Sequence, residues 1–299
     1  MTEVYKGIIQ LKKERDAIIL AHNYQPPEIQ DLADFVGDSL ELAIQAKNTR
    51  NKTIVLCGVM FMAETAKLLN PDRTVLIPSK DAGCPLASYL TPDIIQKARD
   101  VYPGAPVVVY INSTAACKAV ADITCTSGNA VSVVSSLPDD TILFGPDANL
   151  AGYVQRQLPD KTIIPIPPDG HCYVHTGFTT ADARMAKEQG GKIICHPECR
   201  ADVQELSDSI ASTGGMTRMT GNGGPWHVFT ERDMVCRLRL LNPEQVYYET
   251  EKAVCIDMKK ITPEKLLFSL EHTAFQVTIP PLYINPARNA IEKMLAVGR

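Results

Sequence analysis

The sequence predicts an α/β protein of three small α/β domains related by a pseudo-threefold axis, each a short parallel sheet flanked by helices, around a central metal site. Three observations predict it. One polar and apolar pattern recurs three times with identical internal spacings. Within each copy, strand-like runs alternate with helix-periodic stretches, the signature of βαβ units and parallel sheets. A single cysteine then follows the last strand of each copy.

The first half of the repeat reads AHNYQPPEIQDLADFVGDSLELA from Ala21, VYINSTAACKAVADITCTSGNAV from Val109 and CHPECRADVQELSDSIASTGGMT from Cys195. Each segment follows a β-rich run (Ala17–Leu20, Pro106–Val109 and Lys192–Ile194). His22, Tyr110 and His196 each precede a hydroxyl by 17 positions, at Ser39, Ser127 and Thr213. Asp34, Asp122 and Asp208 each lie 12 positions after the same three residues, where they cap or anchor a loop. A repeat of this length signals a duplicated supersecondary unit.

The second half repeats with one small indel. Strand candidates lie at 55–58, 142–145 and 227–230, and a helix-periodic stretch after each closes near Pro71, Pro159 or Pro243. A last strand follows at Thr74–Ile77, Thr162–Ile166 and Gln245–Tyr248. The repeats therefore divide the chain at 1–84, 85–172 and 173–255. The remaining 256–299 form a helical segment packing on the repeats, with helices expected at Pro263–Leu270 and Pro286–Val297, each opened by proline. The Gly-rich stretch from Thr217 to Trp226 is expected to be a surface loop.

Composition narrows the function classes. At 299 residues, with 45% hydrophobic and 21% charged, the chain has an ordinary globular make-up. A net charge of −4 supplies no basic field for nucleic acid. No apolar run reaches membrane-spanning length, and the charged start (Lys12, Lys13, Glu14, Arg15) lacks a signal-peptide core, so a cytoplasmic location is expected.

Nine cysteines is a high count for a reducing compartment, where disulfides are rare. Cys57, Cys125, Cys195 and Cys236 sit in or beside apolar runs and read as small buried hydrophobes. Cys84, Cys172 and Cys255 differ: separated by 88 and 83 residues, they occupy equivalent loops after the last strand of each copy. Cys117 and Cys199 match only two copies. Loops at the ends of parallel strands are where α/β proteins place ligands. Three thiolates facing a common axis could hold zinc or an iron–sulfur cluster. Closely spaced CxxC pairs of structural zinc sites are absent, and a three-cysteine cluster leaves one iron open to substrate.

The residues around these loops suggest a substrate pocket. Ser39, Ser127 and Thr213 lie beside glycine in loops resembling helix caps and backbone nests, suited to a carboxylate or phosphate. His22, Asn23 and Tyr24, then Tyr110, Asn112 and Ser113, then His196 and Glu198, follow equivalent strands and supply acid–base groups. His171 and His175 flank Cys172, and His175 is the stronger functional candidate. Met60, Phe61 and Met62 read as lining or core residues.

Taken together, LAHNYQPPEIQDLADFVGDSLELA, GVMFMAETAKLLNP, YINSTAACKAVAD, GHCYVH, HPEC, STGGM and AVCIDMKK resemble the quinolinate synthase family along essentially the whole chain. The resemblance implies three pseudo-symmetric α/β domains around a [4Fe–4S] cluster on Cys84, Cys172 and Cys255, with one open iron as a Lewis acid. It implies condensation of iminosuccinate (iminoaspartate) with dihydroxyacetone phosphate to quinolinate, phosphate and water in de novo NAD biosynthesis, with an aspartate-oxidising enzyme supplying the imine. Substrate contacts would be His22, Ser39, Tyr110, Asn112, Ser127, His196, Glu198 and Thr213. Proton-transfer candidates are Tyr110, Glu198 and His196, with Tyr24 and His175 near the reacting atoms. The residues alone leave two rivals: an iron–sulfur hydro-lyase acting on another hydroxy acid, and a zinc-binding or redox-sensing regulator.

Overall fold

Three runs of four to six residues form the centre of three separate sheets, and all are apolar enough to be buried on both faces. The computed structural model describes residues 2–298. In the first unit β1 (Ala17–His22), β2 (Phe35–Gly37), β3 (Thr53–Cys57) and β4 (Thr74–Leu76) form a parallel sheet in the order β2-β1-β3-β4. The second unit repeats this order with β5 (Val107–Tyr110), β6 (Ile123–Cys125), β7 (Thr141–Gly145) and β8 (Thr162–Pro165). The third does so with β9 (Lys192–Cys195), β10 (Ser209–Ile210), β11 (Trp226–Phe229) and β12 (Tyr247–Tyr248). The protein is thus an α/β fold of three small four-stranded parallel sheets flanked by helices.

Each unit carries one edge strand that the residue pattern does not announce. β2, β6 and β10 are only two or three residues long, too short for an alternating pattern. What places them is the repeated aspartate. Asp34 accepts a hydrogen bond from the Ile19 N–H at 2.8 Å and returns one from its own N–H to the Ile19 carbonyl at 2.9 Å. Asp122 does the same with Val107 (2.7 and 3.0 Å), and Asp208 with Ile193 (2.8 and 2.9 Å). The clasp fixes the chain beside the central strand, so the next residues can only pair with it.

The C-terminal segment binds the units together. The helix Pro263–His272 packs on the N-terminal helix Glu3–Glu14. Between the last two helices, Val277 donates to the Val75 carbonyl at 2.8 Å beside β4. The last helix lies on β6, on the short helix Ala115–Ala119 and on Met60–Leu69, so it touches units one and two. It spans Pro281–Val297, five residues earlier than the expected start at Pro286. Pro280 and Pro281 supply the initiating turn, and Pro286 sits inside the helix, where its ring removes one backbone hydrogen bond.

The stretch 217–226 is also only partly a loop. Thr217, Arg218 and Met219 complete the helix Thr213–Met219, and Trp226 opens β11 as a buried residue. Of the cysteines read as buried hydrophobes, Cys57, Cys125 and Cys195 are buried, but Cys236 is half-buried. Among the described residues no helix is long and apolar enough to cross a membrane.

Candidate functional site

The carboxyl ends of β1, β5 and β9 point at one cavity of about 690 Å³, counting its open mouth. Loops from all three units line it. His22, Tyr24, Ser39 and Cys84 come from the first; Tyr110, Asn112, Ser127 and Cys172 from the second; His175, His196, Glu198, Thr213 and Cys255 from the third. The residues that the family resemblance implies as substrate contacts, proton-transfer groups and cluster cysteines all line this one space, whereas Asn23, Ser113 and His171 are not part of its lining. Val59, Phe61, Met62 and Val174 add apolar wall, while Met60 is half-buried outside the lining.

The two histidines that end equivalent strands are fixed in one tautomer. His22 Nδ1 accepts from the Tyr24 N–H at 3.2 Å, and His196 Nδ1 accepts from the Glu198 N–H at 3.3 Å. An acceptor Nδ1 puts the ring proton on Nε2. Burial drives both imidazoles down to about 3, against the opposing pull of the Glu198 carboxylate. Both are neutral Nε2–H donors near neutral pH, and that of His196 donates to Ser127 Oγ at 3.1 Å.

Glu198 is the hub of the polar wall. It is almost completely buried, and Tyr110 donates its phenol proton to Oε1 at 2.5 Å. His175 Nδ1 lies 2.8 Å from Oε2, close enough for an ion pair although off the line of a straight hydrogen bond. Burial alone would raise the Glu198 carboxyl. The neighbouring His175 and the Tyr110 hydrogen bond outweigh burial and hold it below the usual carboxylate range. On its other side, His175 Nε2 meets Thr230 Oγ1 at 2.9 Å and the Tyr24 hydroxyl at 3.3 Å. Burial and the Glu198 charge keep the phenols of Tyr24 and Tyr110 protonated. The Tyr110–Glu198 and Tyr24–His175 links cross between units, as does Asn23 Nδ2 donating to Thr213 Oγ1 at 2.9 Å.

The hydroxyls are not the helix caps the sequence suggested. Asp38 caps the helix Ser39–Asn48, with Glu41 completing a capping box, and Ser212 caps Thr213–Met219. Ser39 and Thr213 sit one residue inside their helices, and Ser127 precedes Asn129, the cap position of Ala130–Ser135. Because other residues cap, these three side chains face the cavity. Asn112 Oδ1 is buried with no hydrogen-bond partner, as expected of a group that meets a ligand.

The three cysteines share one local geometry. Each precedes a short helical turn, at Leu86–Tyr89, Tyr173–Thr176 and Met258–Lys260. Backbone N–H groups three residues on (Ala87, His175 and Met258) serve as hydrogen-bond donors to Cys84, Cys172 and Cys255. Such donors favour sulfur as thiolate. Burial nonetheless pushes the Cys84 thiol up to about 12 and raises the other two, with the charge of neighbouring cysteines adding to the rise at Cys84 and Cys172. All three thiols therefore resist ionisation in the protein alone. Cys172, His175 and Glu198 also bring their ligand atoms within 4.8 Å of one another. His171 points elsewhere: it is half-buried, and its Nδ1 lies 2.8 Å from the Asp169 carbonyl.

Glu231 and Thr230 were not apparent from the sequence. They follow β11, where an indel blurs the repeat, yet Glu231 is fully buried and lines the cavity. Its position matches Val59 and Asp147, each two residues past the third strand of its unit. That register was the available signal.

A quinolinate synthetase A protein family model matches residues 6–296. The chain is 54% identical to the quinolinate synthase of Pyrococcus furiosus over 299 residues, covering 99% of this chain and 98% of that protein. It is 50% identical to that of Methanothermobacter thermautotrophicus over 303 residues (100% and 99% covered), and 45% identical to that of Thermotoga maritima over 291 residues (96% and 97%). With the match running through all three units and their shared cavity, the chain belongs to the quinolinate synthetase A protein family.

Proposed function

We propose that this chain condenses iminosuccinate with dihydroxyacetone phosphate to quinolinate, releasing phosphate and water, with a [4Fe–4S] cluster held by Cys84, Cys172 and Cys255. The observation that carries the reading is the meeting of three equivalent cysteine loops and the Tyr110, His196 and Glu198 set in one cavity. The donor set fits such a cluster: three thiols face the same space, each with a backbone N–H donor to sulfur. A cluster bound by three cysteines supplies a Lewis-acidic iron for a substrate oxygen or nitrogen.

The chain's own residues do the rest. The Nε2–H groups of His22 and His196 and the hydroxyls of Ser39, Ser127 and Thr213 donate to the carboxylates and phosphate. Asn112 orients the substrate through its unpartnered amide oxygen. Glu198 stays ionised and accepts a proton, while Tyr110 and His196 hold protons for departing oxygen. His175, clamped between Glu198 and Thr230, fixes the carboxylate's direction. The apolar wall of Val59, Phe61, Met62 and Val174 excludes water from a hydrolysable imine. The cytoplasm and a partner enzyme that oxidises aspartate to the imine belong to the same reading.

A second reading, one divalent ion on Cys172, His175 and Glu198, is favoured by their mutual distances. It leaves Cys84 and Cys255 without a role. The test is to give anaerobically purified protein both substrates and measure quinolinate. Quinolinate formed only when both are present supports the reading; iron-loaded protein that turns over neither substrate contradicts it.

A further inference from the structure

The pseudo-threefold relation exposes a second set of residues around the cysteines. In each unit, the N–H at the third position past the third strand donates to the carbonyl two residues before the cysteine. These bonds are Met60 to Ala82, Ala148 to Gly170 and Arg232 to Ala253, all at 2.8 Å. The residue just before each of those donors differs: Val59, Asp147 and Glu231. Val59 offers no acceptor. Glu231 Oε1 accepts from the Cys255 backbone N–H at 3.2 Å. Asp147 carries a fully buried Oδ2 with no closed hydrogen bond, and the Cys172 backbone N–H is one of three backbone donors, with those of Leu150 and Asn149, that act on its carboxylate.

Neither carboxylate is explained by local structure alone. Asp147 Oδ1 caps the helix Ala148–Gln157 through the Leu150 N–H at 2.7 Å, a task serine performs as well without a second buried oxygen. Glu231 caps nothing, since the next helix begins at Met234 with Asp233 at its cap position. Its Oε2 accepts from the Asp233 N–H at 2.9 Å, and its Oε1 also meets Lys259 Nζ at 2.7 Å. Lys259 Nζ reaches on to Asp233 at 2.6 Å and to the Tyr24 carbonyl at 2.6 Å, so the Cys255 loop is tied to unit one as well as unit three.

We infer that Asp147 and Glu231 are positioning residues for the metal centre, each holding the backbone of the cysteine that closes its own unit so that the sulfur is presented to the cavity. This rests on the three-cysteine reading above. Cys84 has no carboxylate of this kind, so its loop depends on the Met60 to Ala82 bond alone among the three-fold set. Partners of this sort orient ligands and are worth about ten- to a hundredfold in metal retention.

The experiment is anaerobic loading with iron and sulfide, followed by the rate of iron loss to a chelator. The variants are Asp147→Ser, Glu231→Leu and Glu231→Gln. Serine preserves the helix cap, so the melting temperature of the metal-free Asp147→Ser protein matches that of the parent. Glutamine preserves an acceptor oxygen for the Cys255 N–H. The expected result is iron loss about tenfold faster in Asp147→Ser and Glu231→Leu, with Glu231→Gln close to the parent. Parental retention in Asp147→Ser and Glu231→Leu overturns the inference while leaving the cluster intact. Loss in Glu231→Gln as fast as in Glu231→Leu overturns it too, by assigning the effect to charge. A parent protein that takes up no iron overturns the cluster and the clamp together.

Discussion

At the residue scale, His22 and His196 show how a backbone sets chemistry. A single N–H on Nδ1 chooses the tautomer, and burial keeps the ring neutral. The consequence for stability has a definite sign. Folded, both rings take up protons only near pH 3; unfolded, they do so near the ordinary value of 6.5. The unfolded state therefore binds more protons between those values, and stability falls as pH drops below about 6.5. Two such groups steepen the fall toward a limit of ~3 kcal/mol per pH unit, approached once the unfolded rings are fully protonated. Urea denaturation of the metal-free protein between pH 7 and 5 is expected to show it, and His22→Gln to halve that slope; an unchanged slope would count against a neutral His22. Glu198, held low, adds stability present above its ordinary 4.5 and lost only in stronger acid. Tyr110→Phe removes the donor to this buried carboxylate and is expected to cost ~1.5–3 kcal/mol in the same denaturation. The 17-residue spacing made His22, Tyr110 and His196 legible as equivalents. Tautomers, and the buried Glu231, depend on backbone direction at strand ends and were not.

At the element scale, the aspartate clasps organise the sheets. Asp122 binds Val107 through side chain and backbone together and also pairs with Arg99 at 2.8 Å. Asp122→Ala leaves the Val107 N–H without its side-chain partner, and a loss of ~1–3 kcal/mol in the unfolding free energy from urea denaturation is expected. A further repeat lies eight residues past His22, Tyr110 and His196. Gln30 donates to the Asn23 and Gln25 carbonyls, Gln204 to those of Pro197 and Cys199, and Lys118 to that of Ser113. Lys118 is fully buried, and burial brings its ammonium down to about 8 despite Glu64 nearby. Lys118→Gln supplies what the other two units use, so a folded protein with a melting temperature at or above the parent's is expected. The central strands were legible because each is a continuous apolar run. The two- and three-residue edge strands were not, because tertiary clasps rather than pattern create them. Pro286 misled for a related reason: packing on unit two carries the helix through a residue that locally disfavours it.

At the scale of the whole molecule, three copies of one unit turn the same strand ends toward one axis. That relation made the cysteine set legible, since wide separations in sequence become neighbours only through symmetry. The alignment showed part of the asymmetry laid over it, Tyr110 beside His22 and His196, while the Val59, Asp147 and Glu231 set emerged only from the strand ends in the structure. One unit carries tyrosine where two carry histidine, and one carries valine where two carry carboxylates. These differences make a threefold scaffold into a cavity with distinct walls, which the proposed condensation of two unlike substrates requires. The most direct test of the account is the iron content of anaerobically prepared parent protein beside Cys84→Ser, Cys172→Ser and Cys255→Ser. The account predicts about four irons in a brown parent and none stably held in any of the three variants. A colourless parent holding one zinc, or a Cys84→Ser or Cys255→Ser protein with full metal, would contradict it.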